Sequence, residues 1–315
     1  MNRRSFLFLS AAFGAFGARP AYSAPIKELR VGYQKTGQLL VVKARKLLEQ
    51  RFAPQGVGVR WVEFPSGPPL LEALNAGSID YGYTGDAPPI FAQAARAAIR
   101  YVGAIPARGY GQAIVVQKDS PVQTLADLKG RKVAVAKGSS AHNLLVTALE
   151  SAKVPWSDIT PVYLAPADAA SAFSRGSVDA WSIWDPFFAI AELRQNARPL
   201  LIDPAATLQN SFFLANRDFL AAHSDIVAAI NADVATATEW AAAHRGEVAE
   251  LFSEASGVAL AAQQRSVDRA EFSFSGLTDK IVAEQQAVAD RFQRLGLIPA
   301  PIVVRDIVWD GKSNA

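Results

Sequence analysis

Residues 137–143 read Lys-Gly-Ser-Ser-Ala-His-Asn, a cluster of hydroxyls, an imidazole and an amide. The apolar run "VAVA" (133–136) precedes it and "LLVTALE" (144–150) follows, so the cluster sits at a strand-to-helix turn. Such a turn suits an anion. Gly138 permits an awkward backbone angle and close approach of a ligand. Ser139 and Ser140 supply hydroxyls, and the first N–H groups of the helix, around His142 and Asn143, point outward. The helix dipole adds roughly 0.3–1 kcal/mol for an exposed negative group. Serine is also a preferred N-cap, worth about 1 kcal/mol over alanine. The two readings coexist if one serine caps and the other faces a ligand. His142 either donates to that ligand or stabilises the turn. The pattern G-x-x-x-x-G-K-[ST] is missing, which argues against a nucleotide.

Catalytic arrangements are hard to find. The histidines at 142, 223 and 244 share no metal-ligand spacing, and neither H-E-x-x-H nor G-x-S-x-G occurs. The chain has no cysteine, which excludes thiol nucleophiles, zinc–thiolate sites and a cysteine-attached lipid anchor. Paired carboxylates in a chain with 29 acidic residues prove nothing. The expectation is a binding protein without cofactor or metal, not an enzyme.

The elements that would position the turn repeat themselves. Gly77-Ser78-Ile79-Asp80 matches Gly176-Ser177-Val178-Asp179, and six residues after each of those aspartates come Asp86 and Asp185, each opening a proline-containing segment. "VGYQKTG" (31–37) parallels "VAVAKGS" (133–139), and "WVEFPSG" (61–67) parallels "VYLAPAD" (162–168). The ordered set predicts two related units. In the first, strands are expected over 29–33, 57–64 and 79–83, with helices over 39–52 and 68–77. The second repeats the scheme with "KVAVA", "NLLVTALESA", "ITPVYLA", "DAASAFSRG" and "VDAWSI". From about residue 212 the chain reads as helical and alanine-rich. Alternating β and α elements predict an α/β fold of two lobes, each a mainly parallel sheet flanked by helices. Loops at the carboxyl ends of such strands form a ligand crevice, and two lobes can close on it. The expected lobes are 24–111 plus 212–315, and 112–211.

Composition agrees. Of 315 residues, 50% are hydrophobic and 19% charged, as in ordinary globular proteins. The net charge of +3 belongs to the N-terminus: residues 1–23 hold Arg3, Arg4 and Arg19 and no acid, leaving 32 − 3 = 29 basic against 29 acidic residues. Without a basic excess, nucleic acid is not an expected partner. Residues 1–23 have the charged, apolar, small-residue order of a cleaved signal peptide. Arg3-Arg4-Ser5-Phe6-Leu7 resembles the twin-arginine export motif. Asn2 and Phe8 stand where that motif prefers Ser and Lys, which leaves general secretion open. The expectation is a periplasmic monomer with no stable membrane anchor.

"GYQK", "WVEFPSGPPLLEALNAGSIDYGYTGDAPPIFAQA", "LADLKGRKVAVAKGSSAHNLL", "PADAASAFSRGSVDAWSIWDP" and "SFFLA" together resemble the periplasmic aliphatic-sulfonate-binding proteins of ABC importers. The resemblance spans nearly the whole mature chain and thins over 257–277. It implies the two-lobed periplasmic-binding-protein fold, a small organic sulfonate between the lobes, and permease and ATPase subunits as partners. A taurine-like zwitterion or another small anion is the alternative ligand. A desulfinase and a pyrimidine synthase share this fold, and those enzymes rely on cysteine-containing motifs.

Further cleft candidates follow the strands. Gln34 can donate an amide N–H to a sulfonate oxygen. Thr84 and Gly85 can offer a hydroxyl and a backbone N–H. Asp86 and Asp185 read first as N-caps, since each lies just before proline; a second reading has one of them meeting an ammonium. Trp184 either lies against the alkyl part of a ligand or packs in the core.

Overall fold

The computed structural model describes residues 26–106 and 109–311. The expected signal peptide lies outside the described residues.

Ten strands form two five-stranded sheets. The first sheet has the order β2 (Gly58–Glu63), β1 (Glu28–Tyr33), β3 (Tyr81–Gly85), β10 (Ser211–Asn216), β4 (Ile99–Ile105). The second has the order β7 (Thr160–Tyr163), β6 (Lys132–Val135), β8 (Ala180–Trp184), β5 (Gln112–Gln117), β9 (Ala197–Pro199). In each sheet the fourth strand runs against its neighbours and the other four share a direction. The antiparallel strand is the one that crosses over. β5 follows β4 of the first sheet and joins the second, and β10 follows β9 of the second and joins the first.

The sequence repeat is a structural repeat. Gly77 and Gly176 sit at φ 66° and 67°, just past the helices Gly67–Asn75 and Pro166–Ser174. There the left-handed backbone lets Ser78 N bond Ala73 O and Ser177 N bond Ala172 O, which closes each helix end. Asp80 N bonds Arg30 O while the Asp80 side chain accepts from Arg30 N. Asp179 makes the same two bonds with Lys132. The Gly-Ser-apolar-Asp motif is thus a stitch between a helix end and the first strand of each unit.

Strand alternation divides the core. Phe212 and Leu214 pack on one face of the first sheet, and Phe213 and Ala215 on the other. In the second sheet Ile114 and Val116 face the helix Ser140–Ser151, while Ala113 and Val115 face Phe173 and Trp181. Burying each of the larger side chains contributes about 1.5–3 kcal/mol.

Two expectations need correction. The helix expected over 39–52 is two helices, Gln38–Ala44 and Leu47–Phe52, broken at Lys46 with φ 54°. Apolar spacing continues across the break, and a lysine gives no breaker signal. Helical structure begins at Arg217 rather than 212, because 212 lies in β10, whose run Phe-Phe-Leu-Ala is buried between two strands. Helix Leu260–Arg269 falls in the stretch read as helical, although the sequence marks no separate helix there.

Among the described residues, no helix is long and apolar enough to cross a membrane.

Candidate functional site

The cleft opens where the strands of both sheets end. Its walls carry Gln34 after β1, Thr84 and Gly85 ending β3, Ser139 and Ser140 after β6, and Trp184 and Asp185 at the end of β8. Its free volume is about 140 Å³, and a buried water needs roughly 10–15 Å³ on that measure, so a small molecule fits.

The turn at 137–143 has a divided role. Ser139 Oγ accepts from His142 N at 3.3 Å and donates to Ala136 O at 2.7 Å, so this hydroxyl is the helix cap. The N–H groups of His142 and Asn143 both point at Ser139 O, at 3.0 and 3.4 Å. The N–H groups of Ser140 and Ala141 have no protein acceptor among the described residues, and Ser140 faces the cleft. A β-carbon on Gly85 would stand 2.6 Å from Ser140 Cβ, so glycine lets the two lobes meet here.

Two other helix starts at the cleft differ. Gly67–Asn75 and Ala87–Ala94 begin with Pro68-Pro69 and Pro88-Pro89, which have no N–H to offer. Helix Ser140–Ser151 keeps its donors, which suits it to an anion.

Thr84 is the second marked group. It lines the cleft, is 1% exposed, and its buried hydroxyl has no hydrogen-bond partner among the described residues. A buried hydroxyl left unpaired costs about 1–3 kcal/mol, which a ligand acceptor would relieve. Gln34 Nε2 bonds Tyr83 O at 3.2 Å, leaving its second amide hydrogen for the cleft. Trp184 lines the cleft and meets Phe187 edge-on at 6.5 Å.

Four candidates stand behind the wall. Gly138, at φ 73°, donates its N–H to His142 Nδ1 at 3.1 Å and packs beside Phe91. That bond leaves the proton of neutral His142 on Nε2. Burial lowers this imidazole to about 4, with Lys137 adding to the shift. Its ring lies among Phe91, Trp156, Tyr163 and Phe292. Asn143 and Asp86 bond each other, both 1% exposed. Burial pushes Asp86 up to about 7, against the bond from Asn143. Asp185 borders the cleft and burial pushes it up to about 7, opposed by Arg269.

The sequence reading missed part of the lining, notably Gln38, Tyr83, Gln112, Arg269, Glu271 and Phe272. The last three come from 269–272, inside the stretch where the family resemblance thins. Arg269 is the one cation of the lining, held by Asp185 and Glu192, and no lysine lines the cleft among the described residues. An anion here would be held mainly by neutral N–H and O–H groups.

A family model described as NMT1/THI5 like matches residues 52–248. A relative from Escherichia coli (strain K12), named for aliphatic sulfonates binding, is 40% identical over 92% of this chain and 90% of its own. A Bacillus subtilis (strain 168) relative with the same name is 34% identical over 96% of this chain and 91% of its own. The solved alkanesulfonate-binding protein SsuA from Xanthomonas axonopodis pv. citri, bound to MOPS, superposes with a TM-score of 0.86 at 41% identity. It covers 91% of this chain and 99% of that one.

Proposed function

The chain belongs to the NMT1/THI5-like family, and we propose that it captures aliphatic sulfonates in the periplasm for an ABC importer. One observation carries this reading beyond the relatives' names. Ser140, whose N–H is free at a helix start, and Thr84, whose hydroxyl is unpaired among the described residues, both line one cleft between two lobes. Three sulfonate oxygens match such a set, and a sulfonate stays anionic at physiological pH. Ser140, Thr84, Gly85 and Gln34 hold the head group, with Ser139 as the cap that keeps the helix start in place. Trp184, Tyr83 and Phe272 offer apolar surface to the organic part.

The lobes are taken as 24–111 plus 212–315 and 112–211, closing on the ligand. A permease and an ATPase are the transport partners, the leader 1–23 directs export, and the protein acts as a monomer that returns its ligand unchanged. A thermal-shift screen across alkanesulfonates, taurine, aryl sulfonates, sulfate esters, nitrate and bicarbonate tests the reading. A ligand at 100 times its Kd stabilises by about 2.7 kcal/mol. Stabilisation by nitrate or bicarbonate alone would overturn it, and so would a reaction product seen by mass spectrometry.

A further inference from the structure

Asp86 and Asp185 hold equivalent places in the two repeats, each directly after the third strand of its unit, β3 and β8. Each serves its own lobe with one oxygen. Asp86 Oδ1 accepts from Ala87 N at 2.7 Å, and Asp185 Oδ1 accepts from Ala189 N at 3.0 Å. Each also reaches into the opposite lobe. Asp86 Oδ2 takes the amide of Asn143 at 2.5 Å, from the helix that packs on the second sheet. Asp185 takes Arg269 Nη1 at 3.4 Å on both oxygens. Arg269 ends the helix Leu260–Arg269, which packs on helix Arg245–Ser256 of the first lobe. Its guanidinium also bonds Glu192 and lies 3.9 Å over Phe188, so it is anchored entirely in the second lobe.

A buried carboxylate needs a partner, and here each lobe supplies the partner for the other's carboxylate. Capping fixes where each carboxylate stands, so its cross-lobe bond can form at one lobe angle only. Resting on the reading of the cleft as a sulfonate site, we propose that Asp86–Asn143 and Asp185–Arg269 are two ties, built on equivalent aspartates, that set the angle between the lobes. They thereby govern how firmly a ligand is gripped, although Asp86 and Asn143 stand outside the cleft.

The test uses 1-propanesulfonate by calorimetry and small-angle scattering of the unliganded protein. Asn143→Asp sets two carboxylates against each other, and is expected to weaken binding at least tenfold and enlarge the radius of gyration. The swap Asp86→Asn with Asn143→Asp reverses donor and acceptor, and is expected to return affinity to within threefold of the parent. For the second tie, Arg269→Gln and Asp185→Asn are each expected to weaken binding, with the double variant no worse than the poorer single. Unchanged affinity and radius in Asn143→Asp, a folded swap that stays more than tenfold weak, or strictly additive losses at 185 and 269 would each overturn the proposal. If Asn143→Asp does not fold, the swap alone decides by the same limits. If the parent binds no sulfonate, the functional reading fails by itself, and the unliganded radii still decide the ties.

Discussion

The hydroxyl of Thr84 stands 1.9 Å from where a β-carbon on Gly67 would be. Glycine at the start of helix Gly67–Asn75 is therefore what makes room for this hydroxyl. The hydroxyl has no partner among the described residues, so removing it should affect the free and bound protein in opposite ways. Thr84→Val, similar in shape, is expected to melt at or above the parent's temperature while binding a sulfonate about tenfold more weakly, a loss of about 1.4 kcal/mol. Equal affinity in calorimetry would remove Thr84 from the head-group site. Gly67→Ala should do harm on both counts, with overpacking of about 1–3 kcal/mol.

The two serines at the head of helix Ser140–Ser151 should separate. Ser139→Ala deletes the cap and is expected to cost about 1 kcal/mol, a fall of about 2–4 °C in Tm for a chain of this size. Its effect on ligand should be small. Ser140→Ala removes a hydroxyl that bonds nothing among the described residues, and should weaken sulfonate about tenfold at unchanged Tm. The reverse pattern would move the head group to Ser139.

The motif that carries the site was legible because it follows from local rules. A short apolar strand, a glycine and two serines before an apolar helix specify a capped helix start at a strand end, and the structure places Ser139 and Ser140 there. Local rules could not say which N–H groups stay free. The sequence reading favoured His142 and Asn143, and both point at Ser139 O. The crossing strands were missed because β5 and β10 are short apolar runs that only acquire meaning once a second lobe exists. Arg269 was missed for a similar reason. Nothing in "QQRSVDRAE" says that its last arginine lies against Asp185, since 84 residues of chain separate them.

The leader makes a separate forecast. Residues 1–23 carry all the excess positive charge, so the exported chain should run near neutral in isoelectric focusing, well below the sequence pI of about 9.1. N-terminal sequencing of periplasmic protein should start near Ala24. An intact Met1 would show that the segment is retained.

Asp86 gives a pH signature opposite to that of an ordinary carboxylate. The groups facing it are the amide of Asn143, the N–H of Ala87, Arg291 at longer range, and the phenol of Tyr101, which burial and Asp86 both push upward. Burial dominates and raises Asp86 to about 7 in the folded protein. Its unfolded value is near 3.9. A carboxyl raised on folding favours the fold fully below the unfolded value, and that contribution is lost as pH climbs to about 7. His142 works the other way: lowered to about 4 by burial, it favours the fold above 6.5 and withdraws that support as pH falls. Asp185, raised to about 7 by burial with Arg269 opposing and Glu192 adding, acts in the same direction as Asp86. The parent profile mixes all three, so the informative quantity is the difference between parent and Asp86→Asn. Asparagine keeps an oxygen for Ala87 N and does not titrate. The variant should therefore gain on the parent as pH rises from 5 to 8, seen as a Tm difference that shifts in its favour. A difference that is flat across that range would mean that Asp86 titrates as an ordinary exposed carboxylate and that the Asn143 bond is not formed in a dry interface.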